Sequence, residues 1–542
     1  MSKVILTKPA HRWLFGGLGF HNSEATMYGI MKDDFKNQVV LKCFREISPT
    51  YARVFAGYAD WTKEHMDTFA DYYDQTFRKA NTTLYLVPGR MPYQDKSFNM
   101  EEYAEKVASN LEYLIKERKC TKIRHYCLTN ELAIGKDRRI LTYNYPLFKE
   151  MQEILYAAFK RHNLNVGLLA LDSSSMGFDS PWVPFDWAVN NLGDTTECFC
   201  HHLYFNNIEP GNNKFYEDLM FTLKTMVARS FSMEKRFVLG EFGFNQKGKV
   251  HEAMFEDSAS YVNFPELEGE SALQFAEVCS AVINAGCLSS CVWTLFDYPD
   301  PFLCEDGDTY EEKEKFDAAR FSGHGVSTRY NKHGMIRWCD EENDYRAYAP
   351  YYTMGLMAKY FRKNSRVLVP KTDDKELRLC AVTNEDGSYS VCVINYKETE
   401  ELVQFTNEHK SDKPLRKYIY DSKKPPYNAF NDLPDYDSLV SVANNTFSTT
   451  VPARGMIILT TDYVDRTPPS LKVLDVKNGV ISWETCTDEE HIYYRVFADG
   501  VQIASTVANS LRVADSSAKY TVYSVDKYGN CAKNRLLSHT KK

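Results

Sequence analysis

The first two thirds of the chain alternate short apolar runs with longer segments whose apolar residues recur at helical spacing. The apolar runs predict eight strands: Trp13–Phe20, Ala52–Gly57, Leu84–Val87, Lys122–Thr129, Val166–Asp172, Glu197–Phe205, Arg236–Phe242 and Cys287–Leu295. The helical spacing predicts intervening helices such as Glu101–Lys119, Tyr145–Arg161 and Gly269–Ala285, with Ala349–Phe361 as the last one. Eight strand–helix repeats favour a closed (β/α)8 TIM barrel of the α/β class over an open sheet, and we assign residues 1–363 to it.

The pattern changes beyond Arg366, where short alternating runs are separated by turn residues. This pattern predicts an all-β sandwich over residues 364–465 that packs on the barrel through an apolar face. A proline pair, Pro468-Pro469, then marks a linker, and a second group of short strands predicts a small β-sandwich over residues 466–542. The strand that contains Trp483 and the tyrosine-rich later strands of that module resemble a fibronectin type III domain. We expect a fragment 1–363 to be insoluble. We expect a folded fragment 1–465 to keep any catalytic activity of the chain.

Composition and charge exclude several classes of protein. The net charge is −8 and no Lys/Arg stripe is present, which argues against a nucleic-acid partner. No apolar run approaches the ~20 residues that a membrane span needs. The 36 tyrosines, 32 phenylalanines and 7 tryptophans make carbohydrate a candidate ligand, because aromatic rings stack on sugars, although an aromatic-rich core explains the same counts. Nothing in the sequence indicates the oligomeric state.

The 14 cysteines follow no spaced framework, and several, such as Cys279, Cys287 and Cys291, lie inside apolar runs. This distribution predicts buried free thiols in a reducing compartment rather than disulfides. The first residues lack the apolar core and cleavage site of a signal peptide. The sequence therefore favours a cytoplasmic protein, with an exported protein whose signal peptide has been removed as the alternative.

Ionisable residues follow the predicted barrel strands at the end where TIM-barrel chemistry takes place. Glu131 follows the fourth strand, and Glu241 closes the seventh. Hydrolysis of a glycosidic bond needs two carboxylates in one pocket, one to protonate the leaving oxygen and one to attack the anomeric carbon or activate water. Taken singly, Glu131 suits a helix N-terminus and Glu241 a surface loop. The other candidate residues at strand ends are His21, Arg53, Asn130, His202, Tyr204 and Trp293.

The ordered set Asn130-Glu131, His202-Leu203-Tyr204, Gly240-Glu241-Phe242-Gly243 and Trp293 resembles the clan-A glycoside hydrolases over about residues 10–363. The resemblance implies that Glu131 is the acid/base and Glu241 the nucleophile. It also implies that Arg53, His202 and Trp293 surround the sugar being cleaved. The region from His333-Gly334-Met335 to Pro452-Ala453-Arg454-Gly455 is similar to the β-xylosidase/α-L-iduronidase and glucosylceramidase groups. The Gly-Glu-Phe-Gly segment is more like the endo-glucanase/mannanase group, so the family within the clan stays open.

Supporting roles follow from charge and hydrogen-bonding capacity. Arg53 can pair with Glu241 and keep it ionised. Asn130 can bind the sugar 2-hydroxyl, and Tyr204 can donate to the nucleophile. Trp293 can form the floor beneath the sugar. His202 also suits a core histidine with its hydrogen bonds satisfied, and Trp293 also suits a core tryptophan at the barrel rim.

The sequence therefore predicts a retaining β-glycosidase that needs neither cofactor nor metal. A catalytically inactive carbohydrate-binding or scaffold protein on the same barrel is one alternative, and a metal-dependent lyase is another. The segment Cys198-Phe199-Cys200-His201-His202 contains zinc-ligand residue types, but they lie too close along one strand for tetrahedral closure. The acidic stretch Glu305-Asp306-Gly307-Asp308 lacks the spacing of a calcium loop and is interpreted as a solvated loop over the pocket.

Overall fold

A computed structural model describes residues 1–7, 9–88, 98–131, 145–176, 178, 182–206, 208–245, 265–299, 330–331, 334–340, 342–408 and 413–532. The first strand, β1 (Ser2–Leu6), belongs to the middle sandwich. Eight parallel strands then close a barrel: β2 (Leu18–His21), β3 (Tyr51–Phe55), β4 (Thr83–Val87), β5 (Ile123–Cys127), β6 (Gly167–Met176), β7 (Cys198–Asn206), β8 (Arg236–Asn245) and β9 (Ser289–Val292). The eight-stranded barrel predicted from the sequence is confirmed. The acidic stretch 305–308 and the residue at 333 lie outside the described residues.

Helices surround the barrel, and those that meet solvent pack through one apolar face, whereas the last one is buried on every side: α1 (Leu41–Ile47), α2 (Lys63–Gln75), α3 (Met100–Glu112), α4 (Tyr145–Arg161), α5 (Trp182–Asn191), α6 (Asn213–Ser232), α7 (Pro265–Ala285) and α8 (Ala349–Tyr360). Short 3-10 or π-helical segments add Ser23–Ile30, Phe35–Val40 and Tyr113–Glu117. The Asn99 side chain caps α3 by accepting hydrogen bonds from the first backbone N–H groups of the helix. No described helix is both long and apolar enough to span a membrane.

The barrel interior is a packed layer of side chains below the strand ends. It is built from tyrosines, aliphatic residues and thiols: Tyr51, Tyr85, Val87, Cys127, Leu169, Cys198, Cys200, Val238 and Cys291. All 13 cysteines in the described ranges carry free thiols and eleven of them are buried, which agrees with the prediction from sequence. This layer forms the floor beneath the candidate site.

The middle sandwich follows a short antiparallel pair, β10 (Tyr298–Pro299) and β11 (Tyr330–Asn331). Its strands are β12 (Arg366–Leu368), β13 (Leu377–Thr383), β14 (Tyr389–Asn395), β15 (Glu401–Asn407), β16 (Leu415–Asp421), β17 (Ser438–Val440), β18 (Thr446–Val451) and β19 (Gly455–Thr460). They form a six-stranded sheet and a three-stranded sheet, and β1 joins the smaller one beside β15. One face packs on α7 and α8, where the buried pair Arg378–Glu277 lies at 2.6 Å. The larger sheet therefore shares a core with the barrel helices, while the two sheets enclose a second core between them.

The C-terminal module contains β20 (Ser470–Leu471), β21 (Val473–Lys477), β22 (Val480–Trp483), β23 (His491–Ala498), β24 (Val501–Thr506), β25 (Ser510–Arg512) and β26 (Tyr520–Asp526). A four-stranded and a three-stranded sheet enclose Trp483, so the predicted two-sheet sandwich is present. The more specific fibronectin type III resemblance stays a prediction. The module is docked on the rest of the molecule, because Tyr493 donates to Glu46 of α1 at 2.9 Å and Arg495 pairs with Asp432 at 3.3 Å.

Candidate active site

Glu241 lies within β8 at the carboxyl end of the barrel, and only 2% of its surface is exposed. The Arg53 guanidinium, from β3, is 2.5 Å from Glu241 Oε1. The Tyr204 hydroxyl, from β7, donates to Oε2. Because both oxygens face a donor, the carboxylate has one fixed orientation in the barrel mouth.

Glu131 follows β5 by four residues and adopts a left-handed backbone conformation, with φ of 49°. One fifth of its side chain is exposed, so this carboxyl group meets solvent while Glu241 does not. The Nδ1 atom of His202 is 3.2 Å from Glu131 Oε1 and 3.5 Å from Glu241 Oε2. An oxygen of each glutamate lies within 4.8 Å of the other. The two carboxylates therefore face each other across one small space.

The electrostatics of Glu241 combine burial with close cations. Burial raises the pKa of the Glu241 carboxyl above its usual value, while Arg53 and His202 oppose that shift and the nearby Glu131 adds to it. The net direction is upward. Arg53 therefore acts in the direction predicted from the sequence, and the cost of desolvating a carboxylate in the barrel interior acts against it.

His202 is fully buried and lies between carboxylates. Burial disfavours the imidazolium, but the carboxylates of Asp172 and Glu241 outweigh burial and raise the pKa of His202 to about 10. Its Nε2 atom is 2.7 Å from Asp172 Oδ1. Both ring nitrogens therefore face carboxylate oxygens.

His21 and Trp293 form an aromatic wall beside the carboxylates. Their ring centroids are 4.3 Å apart, and both rings contact Phe55. Arg53 Nη1 is 2.9 Å from His21 Nδ1. Because arginine can only donate, this nitrogen must accept, and His21 is a neutral imidazole with its hydrogen on Nε2. Burial and the Arg53 charge agree with this state, since they lower the pKa of His21 well below its usual value.

Arg53 holds the cluster together and is fully buried. Its Nη1 atom contacts Glu241 and His21. Its Nη2 atom donates to Asn130 Oδ1 at 2.7 Å and to Asp172 Oδ2 at 2.8 Å. Asn130 is thereby fixed next to Glu131. The structure thus brings all eight residues predicted from the sequence into one cluster at the barrel mouth.

Sequence reasoning missed Asp172 and Tyr85. Asp172 lies in β6 and is fully buried, with Arg53, His202 and the Tyr85 hydroxyl as donors to its carboxylate. The rule that located the two glutamates also applies to it, because the predicted fifth strand ends at Asp172. Tyr85 projects into the barrel from the middle of β4, where nothing in the sequence separates a hydrogen-bonding tyrosine from a core one.

Two glycines of β8 leave room for side chains of β6 and β7. A Cβ atom on Gly240 would be 2.9 Å from Asp172 Oδ1 and 3.0 Å from the His202 ring. A Cβ atom on Gly243 would be 3.1 Å from the Tyr204 ring. Glycine is therefore favoured at both ends of the Gly-Glu-Phe-Gly segment, because a larger residue would displace the side chains around Glu241.

Two groups of potential metal ligands lie within the described part of the chain, and both belong to this network. One is Glu131, His202 and Glu241, and the other is Cys127, Asp172 and Cys200. In the first group, His202 Nδ1 faces both glutamates and its Nε2 contacts Asp172. In the second group, Asp172 accepts from three donors, and burial raises the pKa of the Cys200 thiol well above its usual value. The residues of both groups are therefore already joined by contacts within the protein.

Solved structures of glycoside hydrolases share this fold. A family 51 α-L-arabinofuranosidase from Bifidobacterium longum matches with a TM-score of 0.57 at 12% identity, covering 85% of this chain and 99% of the other. A family 30 endoxylanase from Clostridium papyrosolvens gives 0.52 at 12% identity, with coverage of 85% and 99%. An endo-β-1,6-glucanase gives 0.54 at 13% identity, with coverage of 84% and 93%. No protein-family model and no curated protein sequence matches the chain.

At these identities the likeness shows the fold. The chain shares its fold with these glycoside hydrolase structures, as the resemblance in sequence implied. The roles of the individual residues in the site remain predictions.

Proposed function

We propose that the chain is a retaining glycoside hydrolase in which Glu241 is the nucleophile and Glu131 the acid/base. The observation that carries the proposal is the pair of carboxylates with oxygens within 4.8 Å of each other at the mouth of the barrel. Retaining glycosidases keep their two carboxyl groups about 5–5.5 Å apart, whereas inverting enzymes leave about 6.5–9.5 Å for a water molecule. The short separation favours direct attack on the sugar by one carboxylate.

The different surroundings of the two groups support the division of roles. Glu241 is buried and contacts the Arg53 guanidinium at 2.5 Å, which suits an ionised nucleophile. Glu131 is more exposed, so it can reach a leaving group and then a water molecule. In the first step a Glu241 oxygen attacks the anomeric carbon while Glu131 gives its proton to the departing oxygen. In the second step water attacks the same carbon, gives a proton to Glu131 and releases Glu241.

The aromatic wall supports a carbohydrate as the substrate. Trp293 offers an aromatic face, and Asn130 and His21 lie next to the carboxylates with polar atoms that suit sugar hydroxyl groups. The structural neighbours are named for three different activities, an α-L-arabinofuranosidase, a xylanase and a β-1,6-glucanase, so they do not define the sugar or the linkage. We propose a β-linked oligosaccharide, polysaccharide or glycoconjugate, as predicted from the sequence, and leave the sugar to experiment.

A panel of aryl β-glycosides, assayed with the wild-type chain and with Glu241→Gln, tests the proposal. We expect turnover of at least one sugar by the wild type and none by the variant. Glu197→Gln is the matched control, because Glu197 precedes β7 at the opposite end of the barrel and is half exposed. Turnover by Glu241→Gln at the wild-type rate would contradict the assignment. A folded wild type that binds glycans but turns none over would favour the carbohydrate-binding alternative.

A further inference from the structure

The candidate active site contains a third carboxylate, Asp172, which the proposed double displacement does not use. Asp172 is fully buried and has a φ of 54°, in the left-handed region. A carboxylate buried this deeply is costly unless it is paired, so its partners indicate its role.

Both oxygens of Asp172 are used. Oδ2 accepts from Arg53 Nη2 at 2.8 Å, and Oδ1 accepts from His202 Nε2 at 2.7 Å and from the Tyr85 hydroxyl. All three donors are fully buried, so water does not screen these interactions. Asp172 is thus a buried anion clamped between two cationic side chains.

The same two cations reach the glutamates. Arg53 contacts Glu241 at 2.5 Å through its other terminal nitrogen. His202 Nδ1 lies 3.2 Å from Glu131 and 3.5 Å from Glu241. His202 is therefore within reach of both carboxylates, whichever of them carries the charge.

We propose that Asp172 is a positioning residue that keeps His202 as an imidazolium shared by the two catalytic carboxylates, so that negative charge passes between them without changing the net charge of the buried site. This inference rests on the proposed function. Before reaction Glu241 is the anion and Glu131 the acid. When the Glu241 oxygen bonds to the anomeric carbon and the glycosidic bond breaks, the Glu131 proton goes to the leaving oxygen. Glu241 is then a neutral ester and Glu131 the anion, beside the same imidazolium.

The second step reverses the charge transfer. Water bonds to the anomeric carbon, its proton goes to Glu131, and the ester bond to Glu241 breaks. In every state the cations Arg53 and His202 face two anions, Asp172 and one glutamate. A balanced charge count matters here because an unpaired charge is costly in a buried site.

The groups around His202 act in opposite directions. Three carboxylates favour its charge: Asp172 on β6, Glu131 after β5 and Glu241 on β8. Burial and the Arg53 cation on β3 oppose it, while His21 on β2 and His201 on β7 have lowered pKa values beside it. Asp172 makes the shortest contact with the ring. It is therefore the side chain whose removal should change the protonation of His202 most.

NMR of the full chain with histidine labelled at the ring Cε1 carbon tests the proposal without substrate. The His202 resonance is assigned by its loss in His202→Gln. We expect wild-type His202 to stay protonated at pH 8.5, and Asp172→Asn to lower its pKa by about 1–3 units. Tyr85→Phe is the matched control, because it removes a donor to the same oxygen but leaves every charge in place, and His202 should stay protonated.

A neutral His202 at pH 7 in the wild type would overturn the proposal, and this result needs no variant to fold. An unchanged His202 titration in folded Asp172→Asn would overturn it as well. With an active substrate, Asp172→Asn should lose on the order of 100-fold in kcat/KM, and its activity should decline with rising pH as His202 loses its proton. A purified chain without glycosidase activity would contradict the proposed function, while the titration of His202 would still report on Asp172 independently.

Discussion

Replacing Lys42 with methionine should loosen the contact between the barrel and both β-modules. The Lys42 ammonium, on α1, is fully buried and lies 2.8 Å from Glu46 and 2.5 Å from Asp432 of the middle sandwich. Glu46 also accepts from Tyr493, and Asp432 pairs with Arg495, both on the C-terminal module. Burial opposes the charge on Lys42, but Asp432 and Glu46 outweigh burial and raise its pKa above the usual value.

The expected loss follows from removing one partner of a buried charge pair. Methionine fills the space of the lysine stem but leaves the Glu46 and Asp432 carboxylates without their common cation. Removing one side of a buried ion pair costs about 3–5 kcal/mol. This is a large part of the roughly 5–15 kcal/mol by which a folded domain is stable.

Urea unfolding measures the change in the free energy of unfolding. Urea is uncharged and therefore does not screen ion pairs. Lys106→Met is the matched control, because Lys106 pairs with Glu102 at 2.7 Å on the exposed face of α3. An exposed pair of this kind contributes about 0–1 kcal/mol. Equal midpoints for Lys42→Met and Lys106→Met would refute the view that the buried cation joins the three domains.

Four further predictions concern the chemistry and the domains. Glu241→Ala should abolish hydrolysis of every glycoside. With azide present this variant should yield the α-glycosyl azide, which gas or liquid chromatography detects. Glu131→Ala should slow substrates with poor leaving groups most, and azide should rescue it to the β-glycosyl azide; products of opposite configuration would reverse the two roles. Because burial raises the pKa of Glu241, kcat/KM should fall as pH drops through a value above that of an ordinary carboxyl group, and a pH profile flat to pH 4 would contradict this. A folded 1–465 fragment should keep turnover of a small soluble substrate, although losing Tyr493 and Arg495 should lower its urea midpoint.

The barrel could be predicted because each of its strands and helices follows from the residue pattern of its own segment. Each strand is an apolar run and each helix an amphipathic segment, so the repeat shows in the sequence order alone. Glu131 and Glu241 could be located for the same reason, since the carboxyl ends of parallel strands meet at one mouth. Burial of the cysteines followed from the apolar runs that contain them.

Other features depend on contacts between distant parts of the chain. The run Ser2–Leu6 pairs with β15 some four hundred positions away, and nothing in its own pattern names that partner. Lys42 and Glu46 have the spacing of a surface helix pair, and only the arrival of Asp432 and Tyr493 buries them. The Asp172 network likewise depends on which side chains of four strands meet inside the barrel.

The anomeric form of the first sugar released tests the central claim most directly. Proton NMR of the wild-type reaction, recorded before mutarotation, distinguishes the two anomers of the product. With oxygens of Glu131 and Glu241 within 4.8 Å of each other, the account predicts that a β-glycoside releases the β-anomer first. First appearance of the α-anomer would contradict the double displacement and with it the proposed role of Glu241.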